Sequence, residues 1–342
     1  MSFRHLLLLA LGILAAAILL SVFRNPTQVI SPLGKLGNPS PTEKPLKKYS
    51  YKSLKTRKSQ EGKITIDKIL KDDDRFTSYR FFFTTGGKRV SGLMNVPKNI
   101  SNLPVMVLIR GYVDQTIYTT GEGTRRVGEE FASQGFITLS PDLLGYGSSD
   151  KPSSDAMEER FQTYTTILDL LESIKTLNEA LEKQNLPLAR TESVGIWGHS
   201  NGGQIALSIL EITGATYPTI LWAPVSKPFP YSILYYTDDA NDHGKALRKV
   251  VAQFEAEYDS ELYSLINYFD WIKAPLQLHQ GTADEAVPQA WSDILYDTLK
   301  EKEIPVTYYT YSGENHNFNT GGWQTAFDRG LSFIKKELGL VQ

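Results

Sequence analysis

"SVGIWGHSNGG" (193–203) is an apolar run that stops abruptly on a serine fenced by glycines. Val194–Trp197 has the composition of a buried strand, and "NGGQIALSILEIT" (201–213) has small residues first and a plausible helix after. Serine adds nothing to a core at that position. The spacing Gly198-His199-Ser200-Asn201-Gly202 suits a sharp strand-to-helix turn, in which the neighbours pack too closely for a Cβ and the serine takes a strained backbone. A helix starting at Asn201 aims its first N–H groups at negative charge developing beside Ser200.

Working outward, apolar strands alternate with helices. "KITIDKIL" (63–70), "YRFFFTT" (79–85) and "RVSGLMNVP" (89–97) read as an antiparallel opening, with Gly86-Gly87 as a turn. Strands follow at 105–109, 136–140, 194–197, 219–223, 276–280 and 306–311. Helices are expected near 125–134, 157–183, 201–213, 289–302 and 322–338. This rhythm implies an α/β fold with a mostly parallel central sheet, helices on both faces and a site at the carboxyl ends of the strands. Residues 225–272, rich in Tyr, Phe and charge, break it and are expected to form a small helical cap.

A serine hydroxyl is a weak nucleophile and needs a histidine oriented by a carboxylate; on such a strand–turn–helix the acid and then the base follow the serine in chain order. Three histidines follow Ser200. His243 precedes any strand-end acid and falls in the cap segment, and His279 lies inside "LQLHQ", which leaves His316 in the polar loop "SGENHNF" (312–318). The acid is expected at Asp284, on the loop "GTADEAVP" (281–288), with Glu285 as the competing carboxylate and Asp142 a loop-shaping residue. The oxyanion requires two N–H donors. Asn201 supplies one, and Tyr112, after the strand in "VMVLIRGYVDQ" (105–115), is expected to supply the other. Tyr112, Trp222, Tyr235 and Tyr236 are expected substrate-binding walls, with Tyr118, Phe229 and Tyr231 as further aromatics.

"GHSNGG" (198–203), "HQGTADEAVP" (279–288) and "YSGENHNF" (311–318), spaced as they are, resemble the catalytic domain of the prolyl oligopeptidase family of α/β-hydrolases. The likeness extends over roughly residues 75–340 and includes "GKRVSGLMNVPKN" (87–99), similar to the strand that leads into that domain. It implies an α/β-hydrolase fold in which Ser200 resembles the nucleophile, Asp284 the acid and His316 the base. Two features depart from the family pattern. About 75 residues precede the resemblance, where enzymes built for oligopeptides usually carry a large β-propeller. Arg110-Gly111 stands where many relatives have His-Gly. The first departure moves the expectation from peptides to esters.

Leu6–Phe23 is 18 residues without a charge, flanked by Arg4 and Arg24. At ~1.5 Å per residue it just spans a bilayer, so residues 1–23 are expected to be a single transmembrane helix with the enzyme outside the cell membrane; a cleaved signal and a secreted enzyme are the alternative. Residues 24–60, with nine Lys or Arg against one acid and five prolines, read as an extended linker to a body at 61–342. The body is then more acidic than the whole-chain net charge of −2, which argues against a nucleic-acid partner. There are no cysteines, which removes disulfides and thiolate chemistry. No cofactor or metal is expected; "DDD" (72–74) reads as a solvated turn.

The sequence thus points to a serine hydrolase acting on an ester or a short peptide. An aminopeptidase would need a carboxylate pair for the substrate amine, for which Asp238-Asp239 is the candidate, and a catalytically silent binding module is the remaining reading.

Overall fold

The computed structural model describes residues 44–59, 62–237 and 242–340. Among these, nine strands form one sheet: β1 (Thr65–Asp72), β2 (Phe76–Thr85), β3 (Lys88–Pro97), β4 (Leu103–Ile109), β5 (Ile137–Pro141), β6 (Ala189–His199), β7 (Thr219–Trp222), β8 (Leu276–Gly281) and β9 (Val306–Tyr311). Their order is β1-β2-β3-β5-β4-β6-β7-β8-β9. The β1/β2, β2/β3 and β3/β5 pairs are antiparallel, and every pair from β5/β4 to β8/β9 is parallel. The sheet therefore opens as a meander and continues as crossover units, as alternating strand and helix patterns require.

The helices are α1 (Tyr51–Thr56), α2 (Arg125–Ser133), α3 (Ala156–Ser173), α4 (Leu177–Lys183), α5 (Asn201–Thr213), α6 (Tyr231–Leu234), α7 (Lys245–Glu257), α8 (Gln289–Glu301) and α9 (Trp323–Glu337). Strand parity sorts the core into two layers. Val105, Val107, Ile109, Ile196 and Leu221 join the cluster that includes Phe161 of α3, Ile205 of α5 and Leu295 of α8. Met106, Leu108, Trp197, Ile220 and Trp222 join the other, with Phe131 of α2 and Phe327 of α9.

Three expectations meet a different structure. The helix expected over 157–183 is broken at the 3-10 turn Ile174–Thr176. Ser173 Oγ there donates to the Asp169 carbonyl at 2.6 Å and Thr176 Oγ1 to the Ser173 carbonyl at 3.0 Å, hydroxyl competition that bends helices. The end of the expected linker is folded: Pro45–Tyr49 is a 3-10 turn leading into α1, and Leu46, Tyr49, Tyr51 and Leu54 are buried. The lysines obscured a one-sided apolar face. Tyr51 stacks on Tyr268 at 4.7 Å, and Arg57 makes a two-pronged bond to the buried Asp169 carboxylate at 2.7 and 2.8 Å. The expected cap, 225–272, is helical among its described residues in α6, α7 and four 3-10 turns, but α7 sets Val251 and Phe254 into the main core beside Phe161 and Phe229. Leu6–Phe23 lies outside the described residues, among which no helix is long and apolar enough to cross a membrane.

Candidate active site

β6 ends at His199 and α5 begins at Asn201, so the whole turn falls on Ser200, which adopts φ +56° and ψ −122°. Such a backbone costs of order 1–3 kcal/mol and persists only where its surroundings hold it. Here Ser200 N–H donates to the Trp222 carbonyl at 2.9 Å, and the Ser200 carbonyl accepts from Gly203 and Val225 N–H at 2.9 and 3.1 Å. The glycines are required by contact: a Cβ on Gly202 would run into the Ile109 carbonyl, and one on Gly111 would lie 2.9 Å from Ser200 Cβ. The chain after β4 thus passes directly against the serine.

The loops after β8 and β9 bring Asp284 and His316 together. His316 Nδ1 lies 3.0 and 2.9 Å from the two Asp284 carboxylate oxygens. The Asp284 side chain is shut off from solvent and its other bonds are made: Oδ1 accepts from Ala286 and Val287 N–H at 2.9 and 2.8 Å, and Oδ2 from Gln280 Nε2 at 2.9 Å. Burial raises its pKa, but the His316 bond and charge and the two backbone donors outweigh this and hold it below the usual carboxylate range. Gln280 is itself held, accepting from Ser292 Oγ at 2.7 Å. Glu285, the competing acid, is exposed and accepts from the backbone N–H of His316 at 3.4 Å, not from its ring.

His199 connects this pair to the serine. Its Nε2–H donates to the His316 carbonyl at 2.9 Å, and the two rings lie 4.5 Å apart. Burial, with the nearby His316 second, pushes its pKa down to about 4, so it is neutral and its tautomer is set by the carbonyl it serves. Sequence reasoning missed His199 and Gln280. The signal was adjacency, His199 beside Ser200 and Gln280 four residues before Asp284.

On the other side of Ser200, Arg110 is buried. Its guanidinium lies 4.0 Å from the Tyr146 ring centroid and 4.8 Å from that of Tyr118, and donates to the carbonyls of Gly111 (2.9 Å) and Asp142 (3.1 Å). In a trans peptide, N–H and C=O point opposite ways, so anchoring the Gly111 carbonyl turns Tyr112 N–H away from the arginine. Asp142 does shape the loop: its buried carboxylate accepts from Ser91 (2.5 Å), Tyr118 (2.7 Å), Thr120 (3.1 Å) and Gly121 N–H (3.1 Å). Tyr118 is committed to this scaffold.

Tyr112 and Asn201 line one cavity of about 230 Å³, although the Tyr112 side chain is 78% exposed. Trp222, expected as a pocket wall, is not brought there. It is buried among Trp197, Phe318 and Trp323, because parity turns it to the α2/α9 face while Leu221 takes the α5 face. Tyr235 and Tyr236 gather around Trp291, at 4.7 and 6.4 Å; neither lines the cavity that Tyr112 and Asn201 share, but burial, Tyr235 and then the Asp284 charge raise the Tyr236 pKa, which sets Tyr236 within reach of the acid. Phe229 is core. His279 is buried between Tyr311 Oη (2.7 Å) and Gln277 Oε1 (2.9 Å), and His243 is exposed before α7. Asp238-Asp239 lies outside the described residues.

A meander leading into a parallel sheet, with a strained serine between strand and helix and an acid and a histidine on later strand-end loops, defines the α/β-hydrolase class. The profile of the prolyl oligopeptidase family matches residues 124–340, and the chain belongs to that family, a serine hydrolase of the α/β-hydrolase superfamily. It is 26% identical over 246 residues to a Bacillus subtilis (strain 168) protein named "Uncharacterized peptidase YtmA", covering 70% of this chain and 86% of that one. Among solved structures, the acetyl xylan esterase from Paenibacillus sp. R4 superposes with TM-score 0.60 and 16% identity, over 84% of this chain and 92% of that one. Porphyromonas gingivalis dipeptidyl peptidase 4 does so with TM-score 0.54 and 18% identity, over 77% of this chain but 36% of that one.

Proposed function

We propose that this protein is a carboxylic ester hydrolase working through an acyl-enzyme on Ser200. Ser200 Oγ attacks the ester carbonyl carbon while His316 Nε2 takes the hydroxyl proton, and Asp284 holds the imidazole by its Nδ1–H. The oxyanion of the tetrahedral intermediate is received by the N–H groups of Asn201 and Tyr112, each such donor contributing about 10²–10³ in rate. Collapse breaks the bond to the alcohol oxygen, which leaves with the proton from His316. Water, deprotonated by His316, then attacks the acyl carbon, and Ser200 departs protonated with release of the acid.

The observation carrying this reading is the Asp284–His316 pair, whose His316 carbonyl accepts from His199, the chain neighbour of the strained Ser200. The cavity favours ester over free peptide: Arg110 and Arg160 line it with one acid, the exposed Glu159, a poor setting for a substrate ammonium. A short-peptide hydrolase is the second reading, supported by the relative named a peptidase, which this chain matches over most of its length.

The test is to assay the full-length chain on para-nitrophenyl esters of graded acyl length and on aminoacyl para-nitroanilides, beside Ser200→Ala. Ester turnover exceeding anilide turnover is expected, with a loss of about four orders of magnitude or more in the variant. Activity surviving in Ser200→Ala overturns the mechanism, and anilides turned over faster than esters reverse the substrate class.

A further inference from the structure

The cavity that Tyr112 and Asn201 share also exposes part of a cation the mechanism does not use. Arg160 sits on α3 just inside its first turns, between the buried Met157 and Phe161, and reaches across to α5, where its Nη2 donates to Gln204 Oε1 at 3.0 Å. Gln204 is buried one turn after Ser200, so the arginine is pinned to the helix that begins at the nucleophile. That bond is the one the guanidinium makes among the described residues, and its Nε is shut off from solvent without a hydrogen-bond partner.

An arginine so placed ordinarily has a carboxylate, because desolvating a charge is costly unless it is paired. Arg57 shows the usual solution with its two-pronged bond to Asp169. Arg160 has no ion pair among the described residues: burial pushes its pKa down, and what opposes this is the phenols of Tyr164 and Tyr51, neutral groups, rather than a carboxylate. Arg110, on the same cavity, spends its donors on carbonyls and also keeps a buried Nε without a partner. Two arginines therefore line one small cavity, together with Gly111 and with Asn201, the residue that follows Ser200. Arg110 builds the loop, and Arg160 has donors left.

We infer that Arg160 is a specificity-determining residue that binds a carboxylate carried by the substrate a few atoms from the scissile ester. This rests on the esterase reading of Ser200 and names the substrate class for it: short esters with an anionic substituent. The cavity volume of about 230 Å³ admits one short chain. A guanidinium fork matches a carboxylate in geometry as well as charge, and Arg160 is preorganised by Gln204, so little entropy is lost on binding.

The carboxylate lies on the acyl side or the leaving side of the bond cleaved, and two substrate pairs separate these cases. For the acyl side, mono-para-nitrophenyl adipate is compared with its methyl ester, which has the same chain without the charge. For the leaving side, para-carboxyphenyl butyrate is compared with para-(methoxycarbonyl)phenyl butyrate. In the full-length wild-type chain, the charged member of one pair is expected to have a kcat/KM about 10- to 100-fold above its neutral partner, mainly through KM. Arg160→Gln brings that ratio to about one, and Arg160→Lys, which keeps the charge but not the fork, leaves an intermediate ratio. Should Arg160→Gln not fold, the wild-type ratios and Arg160→Lys still decide. A wild-type ratio at or below one in both pairs, or a preference unchanged in the folded Arg160→Gln variant, overturns the inference. Turnover of the neutral esters without preference removes this inference alone; turnover of none of the four removes the esterase reading with it.

Discussion

The two sides of Ser200 are built on opposite plans. On the β8/β9 side the carboxylate and its neighbours are matched: Asp284 takes two backbone donors, Gln280 and His316, and His199 binds the His316 carbonyl. On the α3 side Arg110 and Arg160 each keep a buried Nε without a partner. A closed network fixes geometry, because each member has one low-energy arrangement and an unmade bond costs its desolvation. An incompletely matched cation instead favours whatever brings it an anion. On the proposed mechanism, one side holds the reacting groups still, and the other chooses what they act on.

That contrast breaks first at Asp284. Asp284→Asn keeps the shape but cannot stabilise the imidazolium or hold the same tautomer, so kcat is expected to fall by about 10³–10⁴ with KM little changed. A fall of less than tenfold would mean that the closed side does not govern the chemistry.

The next effect lies in stability. His279 is buried and His199 half-buried, and desolvation is the main cause that holds both neutral, at about 3 and about 4, whereas in the unfolded chain each titrates near 6.5. Below 6.5 the unfolded chain therefore binds protons that the folded chain refuses, and stability falls with pH. The loss runs down to about 4 for His199 and about 3 for His279, while Asp284, with a lowered pKa, adds its own loss only below the usual carboxylate range. Urea unfolding between pH 7 and 5 should show a decrease of order 2–4 kcal/mol. A flat profile would show that the matched side is not closed to protons.

The smallest effect sharpens the role of His199. As a positioning residue it acts through the His316 carbonyl, so His199→Ala should lower kcat about 10- to 100-fold, shift the acid limb of the pH–rate profile, and leave KM nearly unchanged. His199→Gln, whose amide can still donate, should recover part of the loss. Equal losses in both variants with an unmoved pH profile would reduce His199 to packing. On the opposite side, Arg160 variants are expected to move the charge preference in KM, so the two sides separate kinetically.

Much of this was legible before any coordinates. The strand and helix rhythm marked α5, β8 and β9 closely, and the middle of β6, because period-two and helical apolar patterns are local properties of the chain. Ser200, Asp284 and His316 were nominated because nucleophile, acid and base admit few residue types and their loops follow strands. Trp222 misled because β7 is buried on both faces, which erases the alternation that would reveal which way a residue points. Leu46, Tyr49, Tyr51 and Leu54 were hidden among lysines that stay at the surface while the apolar face turns inward.

The sharp turn at Ser200 needed only sequence, since Gly198 and Gly202 are required by the backbone around them at close range. So did the α/β plan and the order of serine, acid and histidine along the chain. The tertiary structure alone decided that Arg110 anchors the Gly111 carbonyl, that His199 carries His316, and that Arg160 reaches the nucleophile helix without a carboxylate. These are juxtapositions of residues between 1 and 117 positions apart, set by how strands and helices pack. A residue's partner across the core leaves no periodic mark in the chain, and in this protein such partners determine what the site is suited to recognise.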